Sequence, residues 1–145
     1  IIYTDGSSRG NPGPGGYGIV MQEVDTAYKK EFSQGFKSTT NNRMELLAVI
    51  VALEKLKKHN QKVHIYTDSK YVKDGITSWI ENWKKNNWLT SSRKPVKNQD
   101  LWEQLDALNN EHQILWKWVK GHQIEKSEDS RYNNLSDALA REAVK

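Results

Sequence analysis

The sequence predicts an α/β domain: a five-stranded mixed sheet flanked by helices. Two observations carry this reading. Three strand-like runs crowd the first 36 residues with only turns between them, whereas each later strand-like run is reached through helical sequence. An antiparallel meander, extended by strands that arrive through helices, satisfies both. A third observation concerns chemistry. The tetrapeptide Ile-Tyr-Thr-Asp occurs at 2–5 and again at 65–68, each time closing a strand-like run on an Asp.

The elements follow in order. Residues 1–5 are β-branched, aromatic or apolar before Asp5 and read as a strand. GSSRGNPGPGG (6–16) is rich in turn formers and reads as a loop. YGIVMQEV (17–24) and KKEFSQGF (29–36) read as the second and third strands. TTNNRMELLAVIVALEKLKKH (39–59) has polar cap residues, a nearly continuous apolar run and closing lysines, the pattern of a helix of about 17 residues with most of its surface buried. KVHIYTD (62–68) is the fourth strand. SKYVKDGI (69–76) reads as a short helix ended near Gly75, and SWIENWKK (78–85) as another. NNWLTSSRKPVKN (86–98) is an irregular loop. QDLWEQLDALNNE (99–111) is an amphipathic helix with Leu101, Leu105 and Leu108 on one face. HQILWKWV (112–119) is the fifth strand, KGHQIEKSEDSRYNN (120–134) a polar loop and LSDALAREAV (135–144) a closing helix. No linker divides the chain, so residues 1–145 are expected to form one domain.

Composition excludes several classes. With no cysteine there is no disulfide framework, thiolate metal site or thiol nucleophile. No apolar stretch is long enough to cross a bilayer, so no membrane partner is expected. No signal peptide is visible, and a cytoplasmic protein is expected, although the chain begins at Ile1 and an N-terminal address stays open. A net charge of +4 is a modest bias towards polyanions.

The two repeated aspartates raise a sharper possibility. If the IYTD strands are neighbours, Asp5 and Asp68 stand side by side, which is unfavourable unless a cation lies between them. Glu45, expected in the first turn of the long helix among Met44, Leu46 and Leu47, is a third candidate in partly dry surroundings. Asp137, in the first turn of the closing helix, is a fourth. Each could instead be a capping or dipole-compensating residue. Three or four convergent carboxylates without Cys favour Mg²⁺ or Mn²⁺ over zinc. Four can hold two such ions about 3.5–4 Å apart, the arrangement used for in-line attack at phosphorus.

A second feature lies between Lys84 and Lys97: Lys84, Lys85, Arg93, Lys94 and Lys97 occur with no acidic residue. Trp79 and Trp83 stand one helical turn apart and Trp88 follows. Basic groups neutralise phosphates, and flat rings lie against sugars or bases. The same tryptophans could equally pack in a core beside a solvated basic loop. Trp102, Trp116 and Trp118 look more like core or strand residues.

Together YTDGSSRGNPGPGGYG (3–18), TTNNRMELLAVIVALE (39–54), YTDSKYVKDGITSWIENWKK (66–85), PVKNQDLW (95–102), WVKGH (118–122) and SDALARE (136–142) resemble type 1 ribonuclease H, closest to the cellular bacterial form, over essentially the whole chain. The resemblance implies an RNase H-like fold with a basic handle protrusion over 79–97. It also implies an endonuclease acting as a monomer that cuts the RNA strand of an RNA–DNA hybrid. Two Mg²⁺ ions, with Mn²⁺ as a substitute, would be held by Asp5, Glu45, Asp68 and Asp137, and the products would carry 5′-phosphate and 3′-hydroxyl ends. It makes His122 a mobile-loop residue assisting proton transfer or product release. It assigns Asn11 and Asn42 to the hybrid's minor groove, where 2′-hydroxyls distinguish RNA from DNA, and counts Asn41 among the substrate-binding residues. Thr40 and Asn98 become a DNA-phosphate pocket. Tyr71, Trp79 and Trp83, with Lys84 and Lys85, become the surface for the DNA strand. The chain departs from the pattern in two places. The stretch from His122 to Asp137 is longer than the family's usual spacing and contains Asp129, although only Asp137 is followed by the family's helix pattern. Lys70 stands where bacterial relatives often carry Gln. A non-catalytic hybrid-binding module, a DNA-cutting nuclease of the wider superfamily and a domain excised from a reverse transcriptase are the competing readings.

Overall fold

The computed structural model describes residues 1–8, 10, 12–23, 29–56 and 61–119. Five strands form one sheet: β1 (Ile2–Ser8), β2 (Gly13–Gln22), β3 (Lys29–Thr39), β4 (Lys62–Thr67) and β5 (Gln113–Trp118), in the order β3-β2-β1-β4-β5. The β1–β2 and β2–β3 pairs are antiparallel, and β1–β4 and β4–β5 are parallel. This is the mixed sheet expected. The closing helix over 135–144 lies outside the described residues.

The IYTD echo has a direct structural cause. β1 and β4 pair in register as Ile2↔Ile65, Tyr3↔Tyr66 and Thr4↔Thr67, so identical residues sit side by side. Alternation sends Ile2 and Ile65 into the helix-covered core and the two tyrosines to the opposite face. There Tyr3 and Tyr66 stack with ring centroids 4.8 Å apart and an interplanar angle of 16°.

β1 does not end at Asp5 as expected. Its antiparallel partner carries it on through Asp5↔Gly18, Gly6↔Tyr17, Ser7↔Gly16 and Ser8↔Gly15, so most of the glycine-rich segment read as a loop is strand. Gly15 is needed where it lies: a Cβ there would come within 2.5 Å of Thr39 Cγ2 and 2.7 Å of the Ser7 carbonyl oxygen.

Helix α1 (Asn41–Glu54) is shorter than the sequence suggests. Thr40 caps it, accepting the Arg43 N–H at 3.2 Å. Glu45 therefore lies one turn inside the helix, not in its first turn. Met44, Leu46, Val49, Ile50 and Leu53 are all buried against the sheet. The two helices expected around Gly75 form one continuous run: α2 (Lys70–Asp74), a π-helical stretch (Gly75–Trp79) and α3 (Ile80–Lys85). Gly75 does not end the helix, because it makes room for Trp102. A Cβ at Gly75 would lie 2.0 Å from the tip of that indole. Residues 86–98 are irregular, with positive φ at Asn87, Trp88, Arg93 and Asn98 and a single bridge between Leu89 and Pro95. Helix α4 (Gln99–Glu111) then buries Leu101, Trp102 and Leu105.

Candidate metal centre and binding surface

β1 and β4 stay paired only as far as Thr4↔Thr67. β1 continues, while the chain turns away at Asp68 into α2. The first residue after the last shared pair is an aspartate on both sides. Glu45 comes from α1, which reaches this point because residue 6 is glycine: a Cβ there would lie 2.4 Å from the Met44 carbonyl carbon and 2.6 Å from the Glu45 nitrogen. Candidate oxygen atoms of Asp5, Glu45 and Asp68 all lie within 4.8 Å of one another. Asp5 is 4% exposed and Glu45 7%, while Asp68 is half-buried.

The Gly6 N–H points into the cluster, donating to Asp5 Oδ1 at 2.9 Å and to Glu45 Oε1. Burial pushes the Glu45 carboxyl up to about 8. The neighbouring Asp68 charge acts in the same direction, against hydrogen bonds with Asp5, Gly6 and Ser69. Three oxygen donors converging in a dry recess, one of them disfavoured as an anion, fit a hard divalent cation, which removes the repulsion. Asp137, His122 and Asn11 lie outside the described residues.

The remaining candidates fall into two groups. Asn41 Oδ1 accepts the Ser8 N–H at 2.5 Å and the Ser8 hydroxyl at 3.2 Å, tying the end of β1 to the start of α1. Asn42 is exposed beside it. Thr40 and Asn98 are brought together through Arg43, which the sequence reading passed over. The Arg43 backbone N–H goes to Thr40 Oγ1. Its guanidinium donates to Asn98 Oδ1 at 3.2 Å and to both Asp100 carboxylate oxygens at 3.1 and 2.9 Å. The hydrogen-bonded guanidinium holds Asp100 below the usual carboxylate range, and the Asp100 carboxylate raises Arg43 in return. A lone basic residue in the polar start of a helix was the available signal. Asn98 Nδ2 in turn donates to the Tyr71 hydroxyl at 3.2 Å, which also accepts the Trp102 indole N–H at 3.1 Å.

Tyr71 opens the second group, a connected aromatic surface. Its ring centroid lies 6.1 Å from Trp79 and 5.3 Å from Trp102; Trp83 lies 6.0 Å from Trp79, 5.3 Å from Trp102 and 6.3 Å from Trp88. Trp102 is fully buried, as expected, and Trp79 is 40% exposed. Trp83 is half-buried, so both readings of the tryptophans hold at different positions. Trp118 belongs to a strand but not to the core, being 40% exposed. Lys84 is not an isolated cation: it pairs with Asp106 at 3.2 Å and Glu81 at 3.8 Å, and the Asp106 carboxylate raises its pKa. Lys85 is exposed.

Comparison with known proteins gives the family and the fold. Residues 1–145 match the RNase H family model. The chain is 58% identical to the ribonuclease H of Pseudoalteromonas translucida, covering 99% of this chain and 88% of that protein. It is 55% identical to the Citrobacter koseri ribonuclease H, covering 96% and 87%. Among solved structures, the N-terminal RNase H domain of a Mycobacterium tuberculosis protein superposes with a TM-score of 0.72 at 29% identity, covering 99% of this chain and 91% of that one. The PFV RNase H domain superposes with a TM-score of 0.80 at 26% identity, covering 99% and 92%. The family match over residues 1–145 and the identity to bacterial ribonucleases H, with the shared fold, show that the chain belongs to the ribonuclease H family.

Proposed function

We propose that this enzyme hydrolyses the RNA strand of RNA–DNA hybrids at a divalent-cation centre held by Asp5, Glu45, Asp68 and Asp137, leaving 5′-phosphate and 3′-hydroxyl ends. The family cleaves RNA in such hybrids. The convergence of Asp5, Glu45 and Asp68 carries the assignment to these residues. Two Mg²⁺ ions, or Mn²⁺ in their place, would supply the charge that generates the nucleophile and stabilises the leaving oxygen.

The chain's own groups do the rest. The Gly6 N–H orients the Asp5 and Glu45 carboxylates. Glu45 gives up its proton when the recess gains positive charge. Thr40, Arg43 and Asn98 form a polar cluster suited to a backbone phosphate of the DNA strand, and Asn98 connects it to Tyr71. Tyr71, Trp79 and Trp83 offer rings to the sugars of that strand. Lys84, Lys85 and the basic loop after them, the proposed handle, add phosphate contacts. Asn11 and Asn42 read the minor groove, Asn41 adds a substrate contact, and His122 assists proton transfer or product release. Contacts of these kinds recognise shape and backbone, so cleavage depends little on base sequence. We take residues 1–145 to work as a single domain, as a monomer and in the cytoplasm. Among the described residues no helix is long and apolar enough to cross a membrane.

The test uses one 5′-labelled RNA strand, presented alone, paired with RNA and paired with DNA, with labelled double-stranded DNA beside them and Mg²⁺ present or withheld. Cuts confined to the RNA of the hybrid, and requiring metal, are expected. Asp68→Asn should keep the wild-type circular dichroism and lose at least about a thousandfold in rate, ~4 kcal/mol of barrier. Near-normal turnover by that variant would remove Asp68 from the metal centre. Tight hybrid binding without cutting by the wild type would move the function to a binding module.

A further inference from the structure

We propose that Trp118 is a positioning residue for Asp68: its indole N–H fixes the backbone from which that carboxylate reaches the metal centre. The inference rests on the reading of Asp68 as a metal ligand.

Asp68 is the member of the described carboxylate set that lies in neither a strand pair nor a helix. Asp5 is held within a paired strand and Glu45 within a helix, but Asp68 stands one residue past the last pairs that β4 makes, Thr4↔Thr67 and Thr67↔Trp118. Among the described residues no strand pairing reaches it, and it opens the turn that runs to Lys70. Three contacts hold the start of that turn. The Val119 N–H donates to the Thr67 carbonyl at 2.9 Å, the Ser69 N–H donates to Thr67 Oγ1 at 3.1 Å, and the Trp118 Nε1–H donates to the Asp68 carbonyl at 3.0 Å. The last of these goes to Asp68 itself, at its backbone carbonyl.

The setting of the ring supports a positioning role over a packing role. Trp118 is 40% exposed at the end of an edge strand. Its two specific contacts both go to the same turn, the N–H to Asp68 and the ring face to the Lys70 ammonium, 4.7 Å from the centroid. The indole thus holds both ends of Asp68–Lys70. Groups that orient a metal ligand without touching the metal commonly change metal affinity or activity about 10- to 100-fold when removed.

Trp118→Phe deletes the N–H and keeps a ring for Lys70. Calorimetric titration of Mn²⁺ into the protein without substrate should show about tenfold weaker binding. The Mg²⁺ concentration for half-maximal cleavage should rise and kcat should fall. KM for the hybrid and the melting temperature of the metal-free protein should stay near wild type. Wild-type metal affinity and kcat in the variant would overturn the proposal, as would a loss confined to melting temperature. If the variant does not fold, the wild-type indole N–H resonance of Trp118 decides. It should shift on Mg²⁺ addition and stay fixed in Asp68→Asn, and an unmoved wild-type resonance overturns the proposal. Failure of the underlying reading looks different: wild-type protein would take up no metal, or Asp68→Asn would take it up equally well.

Discussion

The carboxylate recess and the aromatic surface are built on different principles. In the recess, placement of Asp5 and Glu45 comes from the backbone: a paired strand, a glycine with no room for a Cβ, and a buried helix turn. On the aromatic surface, placement comes from side chains leaning on one another, graded from fully buried Trp102 through half-buried Trp83 to exposed Trp79. Chemistry at phosphorus tolerates little positional error, and rigid elements supply that precision. The proposed hold on a duplex needs area and charge, which partly exposed rings and lysines could supply.

The largest expected effect breaks the recess without touching a carboxylate. Gly6→Ala puts a Cβ against the Met44 and Glu45 backbone, atoms that cannot rotate away. We expect a loss of about 1–3 kcal/mol in denaturant unfolding, the scale of overpacking, and near-complete loss of cleavage. A variant of wild-type stability and activity would mean that β1 and α1 separate freely.

The next effect is electrostatic. In metal-free protein Glu45 keeps its proton up to about pH 8, whereas in the unfolded chain it releases it near the ordinary carboxyl value of 4.5. Between those limits the folded state binds more protons, so stability falls as pH rises and levels off above about 8. Thermal unfolding of chelator-treated protein from pH 5 to 8 should show this slope. Glu45→Gln should flatten it, and Mg²⁺ should flatten it in the wild type. A slope unchanged by Glu45→Gln would assign it to other groups.

The aromatic surface should separate binding from stability. Trp79→Ala should weaken hybrid binding by ~1–3 kcal/mol, the worth of one stacking platform, with little change in melting temperature. Trp83→Ala should lower both, since that ring packs edge-on against Trp102. Equal melting losses in the two variants would erase the gradient from core to surface.

The smallest effect concerns the lysines. Lys85→Ala should reduce the slope of log affinity against log salt by roughly one unit. Lys84→Ala should reduce it less, because Asp106 and Glu81 already engage that ammonium. Equal reductions would mean that Lys84 leaves its acidic partners when the hybrid arrives.

The same contrast explains what could be read from the sequence. The mixed sheet was legible from the early meander and the later strands reached through helices, and the two IYTD runs, which carry the same alternation and end alike, raised the Asp5–Asp68 adjacency as a possibility. The buried Glu45 was legible from its apolar neighbours. Three things were not. Gly6 and Gly15 looked like turn residues, since a glycine needed for close approach has the same letter as one needed for a turn. Gly75 looked like a helix end because its reason, the Trp102 indole, lies in another helix. Arg43 and Trp118 act through contacts that no local pattern encodes. His122, Asp137 and Asn11 remain sequence assignments, outside the described residues.

The matched β1–β4 pair also bears on how the protein is made. Parallel neighbours so far apart in the chain are among the costlier contacts to close, since the intervening segment must be ordered first. The Asp5–Asp68 juxtaposition exists only once that closure is made, so a growing chain ending before residue 68 cannot assemble the cation site. Assembly of the proposed cation site is thereby tied to formation of the β1–β4 pair.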